Sequence, residues 1–346
     1  MYLKIPTILI LLTFSFVSFA QVGGNSIYDF INLPNSARVS SLGGNNISLN
    51  DNDLNLPFYN PSLLTDSMHH QAVMNFSNYF AGINYGYASF AHKYNDYGVF
   101  AAGIQYVNYG SFRETDETGQ ELGNFKSSEY NFNLMWAKPV LDSMFTVGAN
   151  LKTVYSEMYQ FYSSALLLDA GITYHLPKWQ MNAALVVKNA GFQLKAYHSG
   201  NREPMPFDIQ VGLTKKLKHA PIRFSFTIHN MLKPDMTYEL QNADTSSKKS
   251  EFLVISDKVL RHVIIGVELL PVKNFFLNIG YNHQRRMELQ IETRPYLSGI
   301  SWGFGFKISK FRFSYGRARY HLAGATNNFS VGMNIDDFYK RAVVTE

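Results

Sequence analysis

Ser301-Trp302-Gly303-Phe304-Gly305-Phe306-Lys307-Ile308-Ser309 alternates without a break. Successive side chains of an extended chain face opposite ways. Trp302, Phe304, Phe306 and Ile308 therefore share one face, and Ser301, Gly303, Gly305, Lys307 and Ser309 share the other. The pattern continues downstream, where Phe311, Phe313 and Tyr315 alternate with Arg312, Ser314 and Gly316. It returns at Phe329, Val331, Met333 and Ile335 against Ser330, Gly332, Asn334 and Asp336. Upstream, Phe224, Phe226 and Ile228 alternate with Arg223, Ser225, Thr227 and His229. No comparable amphipathic helix is legible, so the chain reads as all-β.

A soluble sandwich would bury the apolar faces, whereas a transmembrane barrel would turn them to lipid and keep the small and polar faces inside. Strand length, connection length and aromatic placement favour the barrel. Strands are expected near 70–78, 81–94, 97–112, 123–138, 143–158, 161–175 and 179–194. The others fall near 206–217, 221–230, 261–270, 273–284, 299–308, 310–320 and 327–336. Many exceed the usual soluble strand of about five or six residues. Every second connection is tight (Asn95-Asp96, Pro139–Asp142, Leu176–Lys178, Lys218–Ala220, Pro271-Val272, Ser309). The intervening ones, Arg113–Leu122, Lys195–Met205, Met231–Leu260, Arg285–Ser298 and His321–Thr326, are longer. Short periplasmic turns and longer surface loops are the habit of outer-membrane barrels. Tyr79, Phe80, Tyr94, Tyr97, Tyr106, Tyr109 and Phe112 stand near strand ends, where interfacial girdles need rings. The expectation is a transmembrane antiparallel β-barrel of about fourteen strands over residues 70–338, with a periplasmic tail at 339–346.

Composition agrees. Charged residues are 16% of the 346, aromatics 15%, and the formal charge is +5. Disorder needs fewer rings and more charge, and this charge is too dispersed to suggest nucleic acid. The absence of Cys removes disulfide scaffolds, thiolate metal sites and cysteine catalysis. Residues 1–20 read as a signal peptide: Lys4, an apolar core from Ile8 to Val17, and Ser18-Phe19-Ala20 before Gln21. Export would place the barrel in a bacterial outer membrane, against lipid and lipopolysaccharide.

Residues 21–69 are punctuated by Gly23-Gly24, Pro34, Gly43-Gly44, Pro57 and Pro61, and suit no long strand. Their apolar content argues against a disordered tail, and a wide barrel has a lumen to fill. A plug, or hatch, is expected. Phe30-Ile31-Asn32-Leu33-Pro34-Asn35-Ser36-Ala37-Arg38, then Leu42-Gly43-Gly44-Asn45-Asn46-Ile47-Ser48, Asp51–Leu54 and Asn60-Pro61-Ser62-Leu63-Leu64, resembles the N-terminal signature of the PorQ/PorV-like outer-membrane barrels. These belong to the type IX secretion system of Bacteroidetes and are distantly similar to the fatty-acid-channel superfamily. Pro34, Ala37, Arg38, Leu42, Gly43, Gly44, Asn60 and Pro61 carry the likeness. Ser62 stands where that family often has Ala, and Tyr59 where a second Asn is common. The resemblance implies a non-enzymatic anchor in the cargo attachment complex. It would hold a surface-exposed PorZ-like protein alongside PorU-like and PorV-like components. The alternative is an outer-membrane channel for hydrophobic small molecules such as fatty acids, whose mark would be a kink or bulge opening the wall sideways; Gly103, Gly148 and Gly212 are too scattered to locate one.

Chemical motifs are sparse, and no catalytic residue, metal ligand or cofactor is expected. Gly299-Ile300-Ser301-Trp302-Gly303 matches a nucleophile elbow, but that motif needs a strand-to-helix turn and here lies within a strand. Asp51-Asn52-Asp53 opens like a calcium loop, yet Leu56 takes the Gly position and Ser62 the terminal Glu position. His69-His70 are neighbours, so on a strand they would point apart and share no metal. Arg285 and Arg286 open a long loop and are candidates for lipopolysaccharide phosphate. Phe252-Leu253-Val254-Ile255 is an apolar patch in the longest loop, a liability unless it packs or docks a partner. It is the candidate partner-binding element.

Overall fold

The computed structural model describes residues 26–141, 143–198, 200, 202–237, 251–289, 298–321 and 324–339. The expected signal peptide and the tail from residue 340 lie outside them. All fourteen expected strands are present. They are β1 (Gln71–Asn78), β2 (Asn84–Tyr94), β3 (Gly98–Thr115), β4 (Glu121–Val140), β5 (Phe145–Met158), β6 (Phe161–Leu176) and β7 (Met181–Lys195). They continue as β8 (Asp208–Lys216), β9 (Ile222–Ile228), β10 (Val263–Val272), β11 (Phe275–Asn282), β12 (Ile300–Ile308), β13 (Phe311–His321) and β14 (Gly324–Asn334). Each pairs antiparallel with the next, and β1 closes on β14 from Gln71↔Asn334 to Asn78↔Asn327. Among the described residues no helix is long and apolar enough to cross a membrane.

Burial runs opposite to that of a soluble protein. On β12, Ser301 is 1% exposed and Trp302 47%. Met74, Phe76, Phe132, Leu134, Phe329 and Val331 also stand exposed on the outer wall, while Asn75, Asn131, Asn133 and Ser330 are buried within. Apolar-out and polar-in on a closed cylinder is the pattern of a membrane-spanning barrel. The interfacial reading of the rings needs correction: Tyr109 turns inward to Glu129, and Tyr79 packs beside the buried Tyr85. Tyr94 and Tyr97 do stand exposed at the end that the strand order assigns to the periplasm.

The wall is uneven. β3 and β4 run 18 and 20 residues, and β5–β7 run 14, 16 and 15. β8–β12 run only 9, 7, 10, 8 and 9. At about 3.3 Å per residue, the tall strands far overreach an apolar band of about 25 Å, while β9 scarcely crosses it. This corrects the expected loop lengths. Half of Arg113–Leu122 is strand, at Arg113–Thr115 and Glu121-Leu122, and His321 and Gly324–Thr326 are strand as well. Among the described residues, the long outer connections lie between β7 and β12. There the apolar loop patch is helix α2 (Glu251–Arg261), and Arg285-Arg286 lie on α3 (His283–Glu288). The sequence reading missed both helices. In α2 the four consecutive apolar residues Phe252–Ile255 open a short element and read as a patch before its helical period shows.

Residues 26–70 enter the lumen. They form helix α1 (Ala37–Ser41) and single 3-10 turns at Asp29–Asn32, Leu56–Phe58, Pro61–Leu63 and Asp66–Met68. Ser36 starts α1 by accepting from the Val39 amide, the usual service of an N-cap hydroxyl. Gly43 and Gly44 follow at φ +97° and +95°, and the Gly44 amide returns to the Val39 carbonyl. Only glycine takes two such residues cheaply. Ile47, Leu49, Leu54, Leu56, Phe58 and Leu63 then build an apolar centre inside a polar-walled barrel.

Candidate functional site: the hatch and the extracellular rim

The hatch is held on its two flanks by different chemistry. Toward β9–β11, Arg38 donates through Nε to Glu268 (3.0 Å), through Nη2 to Asp51 (2.8 Å) and through Nη1 to Asp53 (3.3 Å). Its guanidinium lies 5.0 Å from the Phe276 ring centroid. Arg223 donates to Glu268 (2.6 Å) and Asp51 (3.1 Å). Arg38 is 4% exposed and Glu268 1%, so these charges survive burial only because each is paired. The Asp51-Asn52-Asp53 run is thus the counter-charge of Arg38. Toward β5 and β6 the bonds are neutral. Asn60 caps the Pro61 turn through the Ser62 amide (3.0 Å) and donates to the Ile47 carbonyl (2.7 Å) and Thr173 Oγ1 (3.1 Å).

Wall glycines mark where hatch backbone touches strand backbone. A Cβ on Gly280 would lie 2.1 Å from the Gly43 nitrogen, on Gly316 2.2 Å from the Ala37 carbonyl oxygen, and on Gly148 2.4 Å from the Ser62 nitrogen. The sequence reading weighed Gly148 and Gly212 as marks of a wall opening. Both instead face the hatch, Gly212 against Ile47 and Ser48, while Gly103 sits under the Tyr87 ring. A glycine on the polar face of an outer-membrane strand was the available signal.

The structure places the remaining signature residues within the same packing. Pro34, Ala37 and Leu42 are buried, and the Ala37 amide donates to Ser330 Oγ (2.9 Å). Pro61 lies against Gly148 and Gly171. Ser301, the residue at the centre of the elbow motif, donates to the Ser41 carbonyl (3.0 Å) and accepts from the Gly43 amide (3.1 Å). Its hydroxyl fastens the hatch.

Polar cavities lie above and below the hatch. The outer one, about 280 Å³, is lined by Asp29, Lys188, Asp208, His229, Lys233 and Arg285, among others. The inner one, about 230 Å³, meets Asp53, Lys307, Lys310 and Arg312. Beside the outer cavity, β7 bulges where Lys188 and Asn189 are both buried, and its pairing with β8 ends at Lys188↔Asp208. From Asn189 to Lys195, β7 has no β8 partner. The connection to β8 lies over this gap: the Glu203 amide donates to Gln193 Oε1, and the Ile27 amide to the Pro204 carbonyl.

At the rim, α2 shows its apolar face to the outside. Phe252 is 76% exposed, and Leu253, Ile255, Val259 and Leu260 are exposed with it. Its polar face is tied down. Asp257 accepts from Arg261 (2.9 Å) and meets His283 Nε2 of α3 (2.8 Å), while Lys258 donates to Asp235 (2.7 Å). The hydrogen bond from Lys258, then those from Thr237, hold the Asp235 carboxyl well below its ordinary range. Burial works against ionisation of Asp257, but the bonds from His283 and Arg261 outweigh it and lower that carboxyl too. Arg285 faces the hatch. Its guanidinium stacks 4.0 Å over Tyr320 and abuts Gly44, while its backbone amide donates to the α3 cap at Asn282. Arg286 is exposed.

No protein-family model and no curated protein matches the chain. Solved structures do. A deletion mutant of the monoaromatic hydrocarbon channel TodX aligns with a TM-score of 0.51 at 12% identity, over 87% of this chain and 99% of that one. The Pseudomonas putida toluene transporter TodX gives 0.49 at 11%, over 85% and 95%. A Pseudomonas aeruginosa FadL homologue gives 0.47 at 12%, over 86% and 98%. At such identities the likeness is one of fold alone: by the first of these alignments the chain shares the barrel fold of that structure.

Proposed function

We propose that this chain is an outer-membrane barrel whose lumen is shut by its own hatch, and that it works as a non-enzymatic anchor at the cell surface. The observation that carries this reading is the packing of the hatch. Its apolar centre and its paired charges are buried together, and the cavities on either side are lined by polar groups, poor hosts for an apolar solute. The hatch signature adds the type IX resemblance, in which such a barrel holds a PorZ-like partner with PorU-like and PorV-like components. The exposed face of α2 is the docking element in this reading. Pull-down from solubilised envelopes tests it: wild-type barrel should retain a secreted β-rich protein, and Phe252→Ser with Ile255→Ser and Val259→Ser should lose it at least tenfold. Equal retention by the triple variant would remove α2 from the reading.

The second reading is a channel for hydrophobic small molecules, and the fold comparison favours it over the anchor. The unpaired stretch of β7 is the specific feature behind it, since a break in the wall is where an apolar solute could leave sideways into lipid. Native mass spectrometry after incubation with toluene or a long-chain fatty acid separates the two. A stoichiometric adduct lost on bridging the β7–β8 gap with a disulfide supports the channel.

A further inference from the structure

His69 and His70 share a side of the chain after all. His70 has φ +55°, a left-handed residue that breaks the alternation just before β1. Their rings stack with centroids 3.6 Å apart. His92 reaches them from β2, with ring centroids 4.9 Å from His69 and 5.2 Å from His70. One ring nitrogen from each of the three lies within 4.8 Å of the others. The backbone here is pinned: the His70 amide donates to the Ala91 carbonyl, and the Ile335 amide to the His70 carbonyl.

The nitrogens are prepared for a cation. His70 Nδ1 lies 2.6 Å from Asp336 Oδ1. A carboxylate only accepts, so Nδ1 carries a proton, and in the neutral ring Nε2 then presents its lone pair. That Nε2 faces His92 Nδ1 at 3.2 Å. Two imidazole nitrogens bound tetrahedrally to zinc at about 2.0–2.1 Å stand about 3.3–3.4 Å apart, so the observed spacing is nearly that of a shared metal. A carboxylate behind a ligating imidazole is the usual second contact of such sites. His69 Nδ1 accepts from the Lys93 amide (2.9 Å), and the His69 ring still offers a nitrogen within 4.8 Å of one on each of the other two.

We propose that His69, His70 and His92 form a site for a zinc-like divalent transition metal at the periplasmic rim, with Asp336 as a positioning residue. The metal would join three parts of the chain: the end of the hatch, β2, and through Asp336 the segment after the closing strand β14. Its role would be to lock the hatch exit to the barrel seam, where ligand binding stabilises the folded form by mass action.

The test is Zn²⁺ binding to the full, untagged barrel in detergent at neutral pH, with Mg²⁺ as the control. One Zn²⁺ per chain is expected, with no response to Mg²⁺, together with tetrahedral d–d bands when Co²⁺ replaces Zn²⁺. His69→Gln and His92→Gln should each weaken Zn²⁺ at least tenfold, and Asp336→Asn about tenfold or more. His92 is exposed, so its variant tests the site without disturbing assembly. Zn²⁺ should also raise the temperature at which the folded band is lost in heat-modifiability gels, in wild type and not in His92→Gln. Absence of stoichiometric Zn²⁺ binding, or wild-type affinity in either histidine variant, would overturn the proposal.

Discussion

The tall wall of β3–β7 and the low wall of β8–β12 meet the same demand in different ways. Backbone leaving the membrane must keep its hydrogen bonds. On the tall side the strands simply continue, pairing from Ser111↔Lys126 to Thr115↔Glu121 and stacking Phe112 on Phe125 outside. On the low side the strands stop early, and helices α2 and α3 satisfy their own backbone. The difference reaches the lumen. The hatch is tied to the low side by charge, through Arg38, Arg223 and Glu268, and to the tall side by the amide of Asn60 and the hydroxyls of Ser62 and Thr173. The paired sheet is a stiff wall that needs little from the hatch. The low side is short and loop-crowned, and its position depends on the ion cluster.

The largest effect should come from breaking that cluster. Arg38→Met leaves Asp51, Asp53 and Glu268 with one guanidinium among them, and removal of one partner from a buried ionic group costs about 3–5 kcal/mol. Urea titration of the folded band should show it, and proteolysis of the hatch in the assembled barrel should become rapid. On the opposite flank, Asn60→Ala strands the Ile47 carbonyl and the Ser62 amide for about 1–3 kcal/mol, while Thr173 keeps the Ser62 hydroxyl. If Asn60→Ala costs as much as Arg38→Met, the two flanks are not distinct, and the comparison fails.

Strand after strand was legible because the bilayer imposes a two-residue period on both faces at once, as at Trp302 and Ser301. The hatch was legible as a compact non-strand segment, and Ala37, Arg38, Leu42, Gly43, Asn60 and Pro61 of its signature touch the wall. What they touch was not legible. Arg38 meets Glu268, 230 positions further along the chain, and no local period encodes such a pairing. The histidine cluster was misread for a sharper reason. Alternation at His69-His70 holds only while φ stays negative, and one left-handed residue reverses it. The unequal wall was hidden because hydrophobic alternation continues beyond the membrane wherever paired sheet continues, so pattern alone cannot separate a tall strand from a strand and its loop.

The smallest expected effect concerns acid at the low rim. α2 is held by Asp257 to Arg261 and His283, and by Asp235 to Lys258. Both carboxyls are lowered in the folded rim relative to an unfolded value of about 3.9. A group lowered in this way contributes stability that is fully present above its unfolded pKa and is lost as pH falls through the folded one. The tie should therefore be constant from neutral pH down to about pH 5 and weaken below about pH 4. Both pairs are partly exposed and screened, so the effect is local mobility of α2, with the barrel intact. A nitroxide at position 255 should sharpen its spectrum between pH 4 and the acid limit, where the paired sheet at the β3–β4 tip, probed at Leu122, should change less. Asp257→Asn should reproduce part of the acid spectrum at neutral pH. Equal acid mobility at both probes would mean that the two walls are held above the membrane by the same kind of bond, contrary to the division drawn from their strand lengths.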